Sequence, residues 1–492
     1  MSRPTPLPTA VPESVGIPSD AIEAFLRKIL DKRLYMHSVL LVRHGKLICE
    51  CYWKPFNRDR KHRMYSTSKS FVSAAIGILI GEEKLSLDAT IAELFPEWVP
   101  ENPSPWTLEA TVRDLLRMST HISRTSYCDT CPDWGKSFVQ YPVSHKPGQV
   151  FRYDTSATTT LNILVHKLTG MEFTEFLREK LFIPAGMNDD IWCVETPCGH
   201  EWGGSGVQAT PQDLAKFALV CMNGGRWNGQ QLIPEDYIRA ATSRQIDNSL
   251  LNTAHEEQQG YGYQFWRMTH NAFATLGMGS QCAICVPDRD LVLVFTGDTQ
   301  GQPFALQNIT DALWDTVYPA LSDMPLKDNP AAYDSLTTYT STRELLCVEG
   351  ALSSPMSALV SGSTYRMTEN DLGWTSLRFD FDGDRALLRY NNGTGAHEIL
   401  FGIGRNIPQA FTETQYYDRR IGVPAGYGLE CHASAAWVED RSLLTRVWIT
   451  DTCFGNLKMQ FTFDGDTVTM LADKNAEWFL QGYHGFASGS RA

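Results

Sequence analysis

The 492-residue sequence lacks any apolar run long enough to cross a bilayer; Phe71 to Ile80 falls well short of the ~20 residues that a spanning helix needs. Basic residues are also in short supply. Lysine and arginine number 43 against 56 aspartates and glutamates, a formal net charge of −13, which argues against a nucleic-acid partner. The opening stretch, Met1 to Gly16, is polar and proline-rich without the basic-then-apolar pattern of a secretory leader. The expectation is therefore a cytoplasmic protein with no membrane partner. There is no G-x-S-x-G elbow, no Walker or Rossmann glycine loop and no H-E-x-x-H. An α/β-hydrolase triad and a metallo-hydrolase are thus unsupported.

Cysteine, by contrast, is plentiful. In a reducing compartment the twelve residues should be mostly free and buried. Cys282 and Cys285 fall in an apparent strand, where residues three apart point to opposite faces and cannot chelate together. Cys128 and Cys131 fall in a loop and could bind zinc or close a disulfide, and Cys198 and His200 could complete such a site. Nothing in the spacing demands it, and no metal or cofactor is expected. His121, His145 and His200 read as surface or loop residues.

The chain is organised around Met64-Tyr65-Ser66-Thr67-Ser68-Lys69-Ser70-Phe71. An apolar run follows, so a helix opening near Ser66 would put Ser66 and Lys69 on one face, a turn apart. A serine hydroxyl is a poor nucleophile until a base takes its proton, and Lys69 is placed to help. A helix N-terminus also favours developing negative charge. The bland alternative is a capping serine and a solvated lysine, and four residues alone cannot decide.

Along the chain, Ser19 to Leu30 reads as an amphipathic helix capped by Ser19 or Asp20, and 37–50 as a hairpin turning at His44-Gly45. Thr111 to Thr120 is a short helix, 121–146 a long polar loop, and Thr158 to Leu168 a buried helix stopping at Gly170. Thr210 caps a further helix with Pro211 at its first position. From about Tyr261 the period changes to two, giving four antiparallel strands, and Gln307 to Val317 adds a helix. Beyond about Thr364 the pattern is all-β, with near-identical turns at Phe379-Asp-Phe-Asp-Gly-Asp384 and Phe461-Thr-Phe-Asp-Gly-Asp466. The expected class is α+β: an antiparallel sheet with a helical subdomain over 1–325, a linker at 326–335, and a β barrel or sandwich over 336–492.

Several of these stretches, in order, resemble the β-lactamase-related serine hydrolases, a family that includes esterases, D-aminopeptidases and 6-aminohexanoate-dimer hydrolases. Ser66-Thr-Ser-Lys69 resembles the S-x-x-K motif. Thr111-Val-Arg-Asp-Leu-Leu-Arg-Met-Ser119, Pro147-Gly148…Phe151-Arg-Tyr153-Asp-Thr155, Leu181-Phe-Ile-Pro-Ala-Gly-Met187 and Gly203-Gly-Ser-Gly206 resemble the family's later elements. The resemblance covers roughly residues 10–320 and implies a sheet-plus-helices fold with the active site between the two parts. The C-terminal portion is similar in texture to the lipocalin-like domains of some members. Two motifs depart from the family pattern. Tyr153-Asp154-Thr155 stands where Tyr-x-Asn is usual, and Leu276-Gly277-Met278-Gly279-Ser280-Gln281 offers no cation where Lys-Thr-Gly or His-x-Gly is usual. A substrate carboxylate, as on a β-lactam, therefore loses its expected grip.

On this reading Ser66 attacks a small ester or amide, and Lys69 and Tyr153 act as base and then acid. An acyl-enzyme forms and is hydrolysed. Backbone N–H groups of Ser66 and of the Gly277–Ser280 stretch would hold the oxyanion, and the Thr155 hydroxyl would bond Lys69 or substrate. Tyr153 as a core residue, Thr155 as packing, and Gly277 and Gly279 as a turn are the structural alternatives. Acyl transfer through the same intermediate, and an inactive binding protein that keeps the fold, are the functional ones.

Overall fold

The computed structural model describes residues 4–127, 133–250, 254–413, 429–451, 453–477 and 480–492. The chain divides into two compact units with the boundary after Glu344.

The first unit is built on a six-stranded antiparallel sheet. Its order is Lys46–Tyr52, Met36–Arg43, Leu291–Gly297, Gln281–Val286, Phe273–Gly277 and Trp266–Arg267. Met36–Arg43 and Leu291–Gly297 are buried along their whole length. That explains why they read as continuous apolar runs rather than as alternating ones. The hairpin joining the first two strands turns at His44 and Gly45, both left-handed with φ of 51° and 68°, the backbone of a two-residue hairpin turn.

Helices cover this sheet. Pro211–Met222 packs against the strands Gln281–Val286 and Leu291–Gly297. Its start is fixed by reciprocal bonds: Asp213 N–H donates to Thr210 Oγ1 and Thr210 N–H to the Asp213 carboxylate. The helix Ser68–Gly81 is buried on nearly every side, which its uniformly apolar sequence requires. Phe71 stacks on Phe217 with ring centroids 4.1 Å apart, joining the two helices. Each such buried aromatic or aliphatic side chain contributes about 1.5–3 kcal/mol.

Five local readings differ from the sequence expectation. Ser19 is not the cap of the first helix: Pro18 occupies that position, and the Glu13 carboxylate accepts from both Ser19 N–H and Oγ–H. The third long helix begins at Thr155 rather than Thr158, because Asp154 caps it by accepting the Ser156 N–H at 2.9 Å. The 121–146 stretch is not one loop. Asp133 caps a helix, Trp134–Gln140, that buries Trp134, Phe138 and Val139; seven residues are too few to show a period. His121 is buried against Phe138 instead of lying on the surface, and burial pushes its pKa down to about 4. Residues 330–335, in the stretch read as a linker, lie in a helix, Pro330–Ser341, that buries Leu336 and Tyr339.

The second unit is a closed antiparallel barrel, which decides between barrel and sandwich. Nine strands form the ring, from Thr364–Met367 to Gly485–Arg491, and those first and last strands pair with each other. A short parallel seam, Gly402 with Ser434 and Ile403 with Ala435, completes it. Both Asp-Gly turns fall where the sequence puts them, with Gly383 and Gly465 left-handed. No disulfide joins the ten cysteines among the described residues, and eight of them are buried. Cys128 and Cys131 lie outside the described residues. No helix among the described residues is long and apolar enough to cross a membrane.

Candidate active site

Ser66 stands just ahead of the long helix, in a 3-10 turn, Tyr65–Thr67. Tyr65 carries φ 45°, a left-handed conformation that costs a bulky side chain free energy and persists only where its surroundings hold it. They do so here. Met64 N–H donates to the Val207 carbonyl at 2.8 Å, Thr67 Oγ1 donates to the Gln281 carbonyl at 2.8 Å, and Val207 N–H donates to Ser68 Oγ at 3.0 Å. The buried Arg63 guanidinium lies 4.3 Å from the Tyr65 ring centroid and 4.9 Å from that of Trp202, and donates to the Ser205 carbonyl. Tyr65 and Thr67 are thus fully enclosed, while Ser66 between them is half-exposed.

Lys69 follows on the same helical face and is buried. Its Nζ donates to Ser66 Oγ at 2.9 Å and to the Gly204 carbonyl at 2.6 Å. It lies 5.0 Å from the centroid of the Tyr153 ring. The Tyr153 phenol lines the same cavity as Ser66. Burial holds its pKa well above the usual range, the neighbouring Ser66 hydroxyl pulls the other way, and the nearby Glu257 carboxylate adds to the rise. One hydroxyl, one amine and one phenol therefore converge. The neighbouring Asp154, fully buried, has its pKa pushed up to about 6 by burial against the opposing bonds from Ser156.

Ser66 and Tyr153 open onto a cavity of about 470 Å³, within the usual size for a small-molecule site. Leu276 to Ser280 line one part of it, and residues 302–307, Trp266 and Glu257 line others. Apart from Tyr153 and Cys282, Glu257 is the single ionisable group among the described lining residues, and burial raises its carboxyl pKa. Gly277 is required by the close approach of the strand end to the Tyr65–Thr67 turn: a β-carbon there would overlap the Met64 carbonyl oxygen. Gly279 and Ser280 both take φ 73°, which turns the chain back into the next strand, and Ser280 Oγ pairs with Thr299 Oγ1 at 2.6 Å.

Of the residues singled out from sequence, Ser66, Lys69 and Tyr153 come together, and Gly277, Met278, Gly279 and Ser280 line the cavity beside them. Thr155 does not join them. Asp154's capping draws it into the first helical turn, where its N–H donates to Thr125 Oγ1 at 3.1 Å and its methyl packs on Gly204. The partner expected of Thr155 is instead the Gly204 carbonyl. The glycine run 203–206 was the available signal: a β-carbon at Gly203 would strike Asn162 and Val72, and one at Gly204 would strike Thr155. Glu257 and Trp266 had no sequence signal; tertiary packing alone brings them to the cavity.

Sheet, helical cover and a serine paired with a lysine one turn on define a class of proteins. The chain belongs to the beta-lactamase family, whose model matches residues 22–315. Among curated proteins it is 23% identical over 247 residues to the 6-aminohexanoate-dimer hydrolase of Paenarthrobacter ureafaciens, a match covering 46% of this chain and 63% of that relative. Among solved structures it resembles a penicillin-binding protein homologue from Caulobacter crescentus, with TM-score 0.51, 18% identity and coverage of 64% of this chain and all of that one. It also resembles SurE solved with D-Leu, with TM-score 0.51, 16% identity and coverage of 84% and 93%. At these identities the structural likeness speaks for the fold alone.

Proposed function

We propose that the protein is a serine hydrolase that cleaves a small ester or amide through an acyl-enzyme on Ser66. The observation that carries this reading is Lys69 Nζ, 2.9 Å from Ser66 Oγ and 5.0 Å from the Tyr153 ring centroid, with Ser66 and Tyr153 opening onto one cavity. Ser66 Oγ attacks the acyl carbon and its proton passes through Lys69 and Tyr153 to the leaving group. A phenol whose pKa is raised by burial keeps its proton at neutral pH, which suits Tyr153 to the donating step. Backbone N–H groups of Ser66 and of the Met278–Gly279 turn hold the oxyanion, each such donor being worth about 3 kcal/mol. Water then attacks the acyl carbon and Ser66 leaves, recovering its proton.

The charge of the cavity bears on the substrate. Glu257 is the one carboxyl among the described lining residues, and no lysine, arginine or histidine is among them, which favours an acyl donor bearing an ammonium group over one bearing a carboxylate. The rings of Tyr153 and Trp266, centroids 5.7 Å apart, add faces that attract a cation.

The direct experiment is labelling with a fluorophosphonate probe. Wild type is expected to take up one label per chain and Ser66→Ala none. A folded wild-type protein that stays unlabelled overturns the proposal.

A further inference from the structure

Away from the catalytic cavity, three donor side chains meet that this chemistry does not use. His166 is on the last turn of the Thr155–Thr169 helix, Glu172 stands just before the next helix, and His200 lies in the tight loop between Glu195 and Glu201. Nδ1 of His166 and Nδ1 of His200 each lie 3.0 Å from the same oxygen, Glu172 Oε1. All three donor atoms fall within 4.8 Å of one another. Ligand atoms around a tetrahedral zinc ion at ~2.0–2.1 Å stand about 3.3 Å apart, so this spacing is close to a preformed ligand set.

Two features separate this cluster from a simple ion pair. His200 Nδ1 is hydrogen-bonded to Glu172, but His166 Nδ1, equally near, is off hydrogen-bonding geometry. That nitrogen is buried and makes no hydrogen bond among the described residues. Two imidazole nitrogens this close to one carboxylate oxygen are favourable only where a proton or a metal cation stands between them. Second, the carboxylate is oriented from behind, as metal-binding carboxylates usually are: Glu172 Oε2 accepts the Glu201 N–H at 3.0 Å. His200 is pinned too, its carbonyl accepting from Thr196 N–H at 2.7 Å and from Thr196 Oγ1 at 2.8 Å. Asp133 adds negative charge near His200. Cys198 makes a different pairing, 3.1 Å from Thr196 Oγ1.

We propose that His166, Glu172 and His200 form a binding site for a divalent transition-metal ion, zinc being the best match to two imidazoles and one carboxylate. The ion clips the end of the Thr155–Thr169 helix to the 195–201 loop, and water completes its coordination. The clip reaches the catalytic residues through the backbone. Asn162, on the same helix, donates to the Glu201 carbonyl at 2.8 Å and accepts the Gly203 N–H at 3.1 Å, and the next carbonyl, Gly204, receives Lys69. A loaded site therefore fixes the segment that positions Lys69.

The test uses the chelator-treated 492-residue chain and Zn²⁺ alone, independently of any enzymatic assay. Calorimetry is expected to show one ion bound per chain, with a raised melting temperature. Glu172→Gln and His166→Asn should each weaken binding about 100-fold or more while circular dichroism stays that of wild type. Wild-type protein loaded with Co²⁺ should show a ligand-field spectrum without a thiolate-to-metal charge-transfer band. Absence of saturable binding, unchanged affinity in the variants, or a thiolate band placing the ion on cysteine would each overturn the site. The Co²⁺ spectrum decides even if a variant fails to fold.

Discussion

Gly277 and Met64 are in contact: the end of the Phe273–Gly277 strand lies directly on the carbonyl of the residue two before Ser66. Only the missing side chain at 277 permits it. Gly277→Ala must push the strand end and the turn apart, and displacements near 1 Å cost about 100-fold in rate. A fall of that size in kcat/KM toward a short acyl ester, with a lower melting temperature but intact circular dichroism, is the expected outcome. Unchanged kcat/KM would mean that the turn after Gly277 takes no part in catalysis.

Lys69→Ala and Tyr153→Phe should each reduce turnover by about 10²–10⁴-fold while leaving the chain folded. Both side chains meet at Ser66 Oγ, so the double variant should be little worse than either single one, as for residues that act as a unit. Steady-state kinetics on all three variants measures this. Near-normal turnover in either single variant contradicts its role.

Glu257→Gln changes charge without changing shape. For acyl donors carrying an ammonium group, kcat/KM should drop about tenfold or more, whereas neutral donors of equal size should be unaffected or improve. Paired measurements on an aminoacyl ester and its desamino analogue give the ratio. An unchanged ratio removes Glu257 from substrate selection but leaves the Ser66 chemistry standing.

Asp154 gives a stability prediction with a definite sign. Its folded pKa is raised by burial from 3.8 to about 6, so the folded state holds a proton that the unfolded state releases. Its contribution is complete below pH 3.8 and is lost as pH rises through about 6. The loss approaches about 3 kcal/mol, at 1.36 kcal/mol per unit. Asp154→Asn keeps the capping oxygen but cannot ionise. Relative to wild type, that variant should therefore gain stability between pH 4 and 7, as read from urea midpoints. A flat difference would show that the carboxyl titrates normally.

Much of this architecture was legible in the residues. Ser66 and Lys69 could be paired because helical spacing and an apolar run are local facts, and the Asp-Gly hairpins and the Thr210–Asp213 cap are local too. Thr155 misled because a cap one residue earlier, at Asp154, draws it into a helix. The Trp134–Gln140 helix was too short to show a period. Gly204 acts through a backbone carbonyl, whose direction depends on the path of a whole loop. Glu257 reaches the cavity only by tertiary packing, so no window of sequence around it could announce its neighbours.

The parallel seam of the C-terminal barrel is only two residue pairs long, whereas neighbouring strands such as Ser442–Thr450 and Phe454–Asp464 share nine. That seam is the shortest pairing in the ring. Parting it would bare only the Gly402-Ile403 and Ser434-Ala435 edges, since Ile407–Ala410 stays paired over 430–433, so edge-to-edge pairing between molecules is expected to start at those four residues.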